Sequence, residues 1–434
     1  MKPDQAKEIN KRIKYVVSLS KQIPWYAKKY KELGIDPDTI KTPQDLLKAY
    51  QKGLYTTPQD LPELVYYKHP NAKGPFYTSG TTGKPKEIWL NPDQDRWIIS
   101  QFSLAYGRIL LKSDRILNLL PREPAVSGVA IDIFLSALNY AYQHFPAQEV
   151  RTDIRRFIDT WTKFSPTCII CLTTFAYRLP LMLKASSVES RLRSVIVGAE
   201  PSSIERRRRI GEEFEAMVYD TYATSESMIV AQEINPFSDE HMVTYPDTLL
   251  FLVKDGHEVS RGESGDVLLT NLYSIDLTRP WMVILDYKIG DQAKCLERED
   301  NGIVTVISEI RREAAYLAGA KLNPQEIEAI IESLGELKGF LTGEYCIITY
   351  NDADRKAIAE VRLEAKKQLS EEQKEQISQQ VRRKIYSVNF PVWDICENVK
   401  DGKLIINITE HGELYKGYEQ YVKPGKPKRL ITLR

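Results

Sequence analysis

Residues 77–86 read Tyr-Thr-Ser-Gly-Thr-Thr-Gly-Lys-Pro-Lys. Hydroxyls at Thr78, Ser79, Thr81 and Thr82 interleave with Gly80 and Gly83, and Lys84 and Lys86 add positive charge. Glycine lets a backbone come close to an anion, so N–H groups, hydroxyls and ammonium together can wrap a polyphosphate. The spacing is not that of the Gly-x-x-x-x-Gly-Lys-Ser/Thr loop, because only Thr81 and Thr82 separate Gly80 from Gly83. The competing reading is a solvated turn between two strands. The density of hydroxyls favours phosphate.

Few other residues pair up for chemistry. Cys168 and Cys171 have the C-x-x-C spacing of redox and zinc sites. They fall in Thr-Cys-Ile-Ile-Cys-Leu-Thr, an apolar run that reads as a buried strand. Residues three apart on a strand point to opposite faces, so these thiols would pack in a core. His69, His144, His241, His257 and His411 form no i,i+4 pair and no ligand cluster. No dedicated metal site is expected, and a nucleotide-bound magnesium would not need one. The run Arg206–Arg209, beside Glu205, Glu212 and Glu213, reads as a solvated helix face.

The 434 residues leave room for two or three domains with sizeable cores. Hydrophobic content of 42% and charged content of 27% are those of a soluble globular protein. The net charge of +1 makes no electrostatic case for nucleic acid or an anionic membrane as partner. No apolar run approaches the roughly 18 residues of a membrane span. The start Met-Lys-Pro-Asp-Gln-Ala-Lys-Glu has no apolar signal core, so a cytoplasmic protein is expected.

The elements that must position these residues follow from pattern. Residues 1–70 read as a helical lead, with Thr42-Pro43 marking a capped start. Past the hydroxyl-rich loop, Glu87–Leu90 is a short strand. Strands at Asp114–Leu120, Thr167–Leu172 and Arg193–Gly198 then alternate with helices at Ile131–Tyr142, near Tyr177–Leu183 and at Ser202–Phe214. That alternation implies a mainly parallel, helix-covered sheet. Residues from about 245 to 309 are β-rich, which suits a smaller antiparallel or barrel-like subdomain. Residues 310–434 carry a helix begun by Pro324, paired strands at Glu344–Tyr350 and Lys356–Leu363, a charged helix at 370–386 and a strand at Leu404–Ile408. The expected fold is therefore α/β: a large domain over 1–309, then a separate small α+β domain over 310–434.

A series of motifs along the chain resembles the acyl-adenylate-forming enzymes, the superfamily of acyl-CoA synthetases, luciferases and peptide-synthetase adenylation domains. The loop at 77–86 resembles their phosphate-binding signature, which implies that residues 78–84 hold ATP. Gly198-Ala199-Glu200-Pro201 looks like their adenine-contacting turn. The run Tyr219 to Glu226 resembles their Tyr-Gly-x-Ser/Thr-Glu motif. That match implies that Tyr222 stacks on adenine, Ser225 contacts the α-phosphate and Glu226 holds magnesium. Ala223 stands where the family has glycine, so its methyl would reshape the acyl pocket, with Ile131 and Phe134 as further walls. Asp286-Tyr287-Lys288-Ile289-Gly290-Asp291 resembles Arg-Tyr-Arg/Lys-Thr-Gly-Asp, which implies that Asp291 accepts from both ribose hydroxyls. Asp286 in place of arginine would bring an anion near the nucleotide, and Ile289 replaces threonine.

The hinge Glu309-Ile310-Arg311-Arg312-Glu313 departs from the family's Gly-Arg-x-Asp-Asp, and Arg311 or Arg312 would supply its ribose-contacting arginine. Gly319, Pro324, Ile327 and Glu328 of the following helix start are in place. The end of the chain, Lys423 to Leu430, is similar to the phenylacetate–CoA ligase branch, whose catalytic lysine lies in Gly-Lys-x-x-Arg. Lys426 is then the ammonium that bridges carboxylate and α-phosphate. Pro24-Trp25-Tyr26 and Leu33 to Pro37 match the same branch. The zinc-holding cysteine of that branch is missing beside Glu233 and His241, so no zinc is expected.

The resemblance implies ATP-dependent, AMP-forming activation of an aromatic or small hydrophobic carboxylic acid, with transfer to a thiol such as coenzyme A. The small domain would rotate between the two half-reactions, and a homodimer is suggested. An amine, a carrier protein or a protein cysteine as acceptor stays open, as does a non-catalytic nucleotide-binding homologue.

Overall fold

The computed structural model describes residues 3–77, 87–123, 125–200, 202–236, 241–274, 279–311, 315–318, 320–352, 356–400, 402–421 and 429–433. Three helices open the chain, α1 (Pro3–Ser20), α2 (Pro24–Glu32) and α3 (Pro43–Gln51). Proline suits a first helical turn because its missing N–H has no partner there. Thr42 and Asp45 close a capping box on α3. Helix α1 buries Ile9, Ile13, Val16 and Val17 at helical spacing, together with Arg12, which meets Asp247 at 2.8 Å. Strands β1 (Lys73–Tyr77) and β2 (Glu87–Leu90) pair antiparallel with Tyr77 opposite Glu87. The hydroxyl-rich segment between them, 78–86, lies outside the described residues.

The alternating region then runs α4 (Gln94–Tyr106), β3 (Arg115–Asn118), α5 (Ser127–Ala137), β4 (Ala141–His144), α6 (Ala147–Thr152) and α7 (Ile154–Phe164). It continues with β5 (Cys168–Leu172), α8 (Thr173–Ala185), β6 (Ser194–Gly198), α9 (Ile204–Phe214) and β7 (Met217–Thr224). Strands β4-β3-β5-β6-β7 are parallel in that order. Every residue of β5 and β6 is buried, as expected of parallel strands covered on both faces. Cys168 and Cys171 are free thiols inside β5, and burial pushes Cys168 up to about 12.

Strand β8 (Met228–Glu233) returns antiparallel to β7. Strands β9 (Met242–Thr244), β10 (Thr248–Lys254), β11 (His257–Glu258), β12 (Ser264–Asn271), β13 (Tyr287–Arg298) and β14 (Val304–Arg311) follow. They extend the same sheet, giving twelve strands in the order β11-β10-β12-β13-β14-β9-β8-β7-β6-β5-β3-β4. Among the described residues the β-rich stretch is thus the antiparallel wing of a mixed sheet, joined to the parallel part by the β7–β8 hairpin.

The remainder comprises the hairpin β15 (Ala315–Leu317) and β16 (Ala320–Leu322), α10 (Pro324–Glu332), β17 (Leu341–Asn351), β18 (Ala357–Ala365), α11 (Glu371–Val388), α12 (Phe390–Trp393), β19 (Gly402–Thr409) and β20 (Leu430–Thr432). The sheet order is β19-β18-β17-β20, antiparallel at its centre and parallel at both edges. Ile327 and Ile331 of α10 and Ile377, Val381 and Ile385 of α11 pack with Tyr345, Ile347, Val361 and Leu363 of the sheet.

The chain divides into two compact units. One comprises Met1–Leu172, Val188–Ala199 and Phe214–Ile310; the other comprises Thr173–Ser187, Glu200–Glu213 and Arg311–Arg434. Within the second unit the arginine run of α9 overturns its expected place in solvent. Arg206 and Arg207 are each 1% exposed, and only Arg208 and Arg209 face water. Arg206 donates to Glu328 at 3.1 Å and to the Gly343 carbonyl at 2.8 Å, with the Tyr177 ring 4.8 Å from its guanidinium carbon. The charges lie at positions 206 and 207, within the stripe that Ser203, Ile210 and Phe214 also occupy. Helical spacing therefore turns half of the run inward.

Removing one partner of a buried pair leaves an uncompensated charge, which costs about 3–5 kcal/mol. Arg206→Ala is expected to lose that much in urea unfolding. Exposed Arg209→Ala should stay within about 0.5 kcal/mol of wild type. Equal effects from the two would remove the distinction.

Candidate active site

The tip of the β7–β8 hairpin carries Ser225 and Glu226 in a three-residue turn, and Tyr222 lies two residues before the end of β7. Tyr222 faces Ala231 while Ala223 faces Ile229, so Val230 is an extra residue and the hairpin is bulged. Strand β13 has a larger irregularity. Lys288 faces Leu268 and Gln292 faces Asp266, which sets three residues, Ile289 to Asp291, against the single Val267. Gly290 sits inside it at φ +96°, a conformation glycine adopts without strain. Bulges re-aim side chains, and this one turns Asp291 to the hydroxyl of Tyr222. The Tyr222 O–H donates to Asp291 Oδ2 at 2.6 Å, with both residues buried.

Two more hydrogen bonds reach the same hairpin tip. Tyr287 Oη donates to Glu226 Oε1 at 3.2 Å, and Asn271 Nδ2 donates to the Glu226 carbonyl at 2.9 Å. Burial, and then the Glu226 carboxylate, raise the Tyr287 phenol above its ordinary range, so it remains a donor. Neither Tyr287 nor Asn271 carried a role in the sequence reading. Tyr287 had a usable signal, since it lies inside the Asp286–Asp291 motif. Asn271 had none, because its partner lies 45 residues away.

Asp286 does not stand where the sequence placed it. It is fully buried at φ +45°, accepts the Thr270 hydroxyl at 3.3 Å on Oδ1 and donates its N–H to that hydroxyl at 2.9 Å. Asp286 stands in the bend just before β13. Tyr287, the first residue of β13, takes the side of Glu226, while the left-handed φ of Asp286 turns it to the core near Tyr26 and Tyr30 of α2. Its Oδ2 has no hydrogen-bond partner among the described residues. Loss of solvation pushes the carboxyl up to about 7.

At the end of β6, Gly198 pairs with Leu172 on one side and Thr221 on the other. A Cβ there would come within 2.9 Å of the Thr221 carbonyl, so only glycine permits this approach. Ala199 follows at φ +61°. In the second unit, Glu200 Oε2 accepts the Thr174 N–H at the start of α8 at 2.9 Å. Phe134 and Ile131 are core residues of α5; Phe134 stacks with Phe102 at 5.7 Å and packs edge-on to Tyr106 at 6.0 Å. Thr78, Ser79, Gly80, Thr81, Thr82, Gly83, Lys84, Pro201, Arg312 and Lys426 lie outside the described residues.

One cluster escaped the sequence reading. His144, at the end of β4, lies 2.6 Å from Asp132 Oδ2 through Nδ1 and 2.9 Å from the Leu120 carbonyl through Nε2. Asn118 and Arg122 also donate to Asp132, at 2.9 Å each. Desolvation of Asp132 is outweighed by these bonds, which hold its carboxyl below the usual range. Both ring nitrogens of His144 are occupied, and the cluster ties down the chain that leads into α5. Among the described residues no three His, Cys, Asp or Glu side chains converge as a metal site.

The Asp286 carboxyl gives a pH dependence whose sign follows from linkage. Below pH about 4 it is protonated both folded and unfolded. Between about 4 and about 7 only the unfolded chain releases the proton, so stability falls as pH rises, by on the order of 4 kcal/mol in all. Asp286→Asn is expected to flatten that limb of a melting-temperature profile between pH 4 and 8. Parallel profiles for variant and wild type would count against a neutral buried acid.

Comparison with known proteins places the fold. Residues 71–271 match the family model described as AMP-binding enzyme. No curated protein matches the sequence. Among solved structures, 2-hydroxyisobutyryl-CoA ligase with a bound acyl-AMP is similar at TM-score 0.77 and 15% identity, over 99% of this chain and 90% of that one. Anthranilate CoA ligase with anthranoyl-AMP is similar at TM-score 0.55 and 16% identity, over 91% and 87%. O-succinylbenzoate coenzyme A synthetase from Bacillus subtilis, with ATP and magnesium ion, is similar at 0.51 and 16%, over 77% and 65%. The fold is that of these ligases, and residues 71–271 match the AMP-binding enzyme family model.

Proposed function

We propose that this protein activates a carboxylic acid with ATP as an acyl-adenylate and passes the acyl group to the thiol of coenzyme A. The observation that carries the reading is the meeting of Tyr222 with Asp291, with Glu226 held beside them by Tyr287. A buried aromatic ring, a ribose-sized acceptor and a hard carboxylate are the groups an adenosine triphosphate needs. The match to the AMP-binding family supports the nucleotide, and the CoA ligases of like fold support the acceptor.

In the first half-reaction a carboxylate oxygen attacks the α-phosphorus. The bond to the bridging oxygen breaks, and pyrophosphate leaves with its electron pair. In the second, the deprotonated thiol attacks the acyl carbon and AMP leaves with the anhydride oxygen. We assign the loop 78–84 to the β- and γ-phosphates, Gly198 to Pro201 and Tyr222 to adenine, and Asp291 and Arg312 to ribose. We likewise assign Ser225 to the α-phosphate and Lys426 to the bridge between carboxylate and α-phosphate. Such cationic and hydrogen-bonding groups act where charge develops in the transition state.

Magnesium fits the residues present. Glu226 offers one half-buried carboxylate, and a nucleotide-held magnesium takes one or two carboxylates with phosphate oxygens and water. When bound, it neutralises phosphate charge. The amino- and carboxyl-terminal motifs favour the phenylacetate–CoA ligase branch, and with it an aromatic or small hydrophobic acid.

Pyrophosphate exchange across a panel of carboxylic acids tests the reading. At least one acid is expected to support exchange, and Lys426→Ala to lower it about 10²–10³-fold with the fold intact. Silence across the panel, with ATP still bound, would favour a non-catalytic homologue.

A further inference from the structure

We propose that Asp286 is a positioning residue: paired with Thr270, its buried carboxyl group sets the segment that aims the Tyr287 hydroxyl at Glu226. The inference rests on the reading of Glu226 as the magnesium ligand. Asp286 occupies a signature position where the family has arginine, so its task here is this chain's own.

The geometry is a paired arrangement between β12 and the start of β13, with Asp286 in the bend just before it. Thr270 bonds Asp286 on the core side, while on the opposite side Asn271 and Tyr287 both bond Glu226. Thr270 is fully used, since its oxygen accepts the Asp286 N–H and its proton goes to Oδ1. The left-handed φ of 45° at residue 286 is one that aspartate and asparagine tolerate better than most side chains. The flanking backbone is held as well. Leu285 donates its N–H to Tyr26 Oη at 3.0 Å, Tyr26 donates to the Val283 carbonyl at 3.2 Å, and Thr56 donates its N–H to the Asp286 carbonyl at 3.3 Å. Tyr287 is thus fixed from behind by a residue that never touches Glu226. Outer partners of this kind orient a metal-binding carboxylate.

The test compares Asp286→Ala, Asp286→Asn and Thr270→Val with Glu226→Gln. Two quantities are read as magnesium is titrated: pyrophosphate exchange, and protection of the ATP-bound protein from thermal unfolding. Asp286→Ala and Thr270→Val are each expected to raise the half-saturating magnesium concentration about ten-fold, leaving the KM for the acid unchanged. Asp286→Asn, which keeps the acceptor and accepts the φ, should restore the wild-type requirement. Thr270→Val carries the test if the alanine variant does not fold. No magnesium shift in these variants while Glu226→Gln shows one overturns the positioning role, as does an asparagine variant that behaves like alanine. An unchanged magnesium requirement in Glu226→Gln overturns instead the ligand assignment on which the inference rests.

Discussion

The candidate site depends on how far the twelve-stranded sheet bends. Tyr222 belongs to β7 and Asp291 to β13, and β8, β9 and β14 stand between them. Across a flat sheet, four strand spacings amount to about 19 Å, far beyond the reach of a tyrosine. A 2.6 Å hydrogen bond between the two residues therefore requires the antiparallel wing to curl. The bonds from Asn271 and Tyr287 to Glu226 cross the same curl. Twist and bulges make such bending possible, and both motifs of the site contain one. The irregularities lie at Val230 and at Ile289 to Asp291, on interior strands beside the two residues that meet.

Behind that surface the molecule keeps polar groups in dry places and pairs most of them. Arg12 with Asp247 holds α1, and Tyr26 returns two hydrogen bonds to the backbone ahead of β13. Asp286 is the costly member of this layer, a carboxyl retained where solvation is lost and only one oxygen has a described partner. Its cost falls when it is neutral, which is why its proton affinity rises. A neutral acid can occupy a dry position that an arginine could not fill without a counter-charge.

The second unit solves a similar problem with paired charge. Arg178, Arg206 and Arg429 meet Glu328, Glu344 and Glu364, and Glu344 lies between two of the arginines. The arginines outweigh the desolvation of Glu344 and hold its carboxyl low. Arg429 also donates to the Tyr345 carbonyl and the Thr174 hydroxyl, each at 2.8 Å, which fixes the entry to β20. Networks of this type add directional constraint more surely than net stability.

By itself the sequence determined what rests on short windows. Proline and threonine at helix starts, apolar runs for β5 and β6, and the order of the motifs identified the α/β fold of adenylate-forming ligases and made Tyr222, Glu226 and Asp291 candidates. Those signals are local, because propensity, capping and side-chain periodicity act within about ten residues. The tertiary structure alone decided that Tyr222 meets Asp291, that Asn271 supports Glu226, that Asp286 turns to the core, and that Arg206 is buried against Glu328. Each of these joins residues 16 to 122 positions apart. Such contacts follow from register, bulges and sheet curvature, which shift when a single residue is added to a strand and leave no mark in composition or spacing.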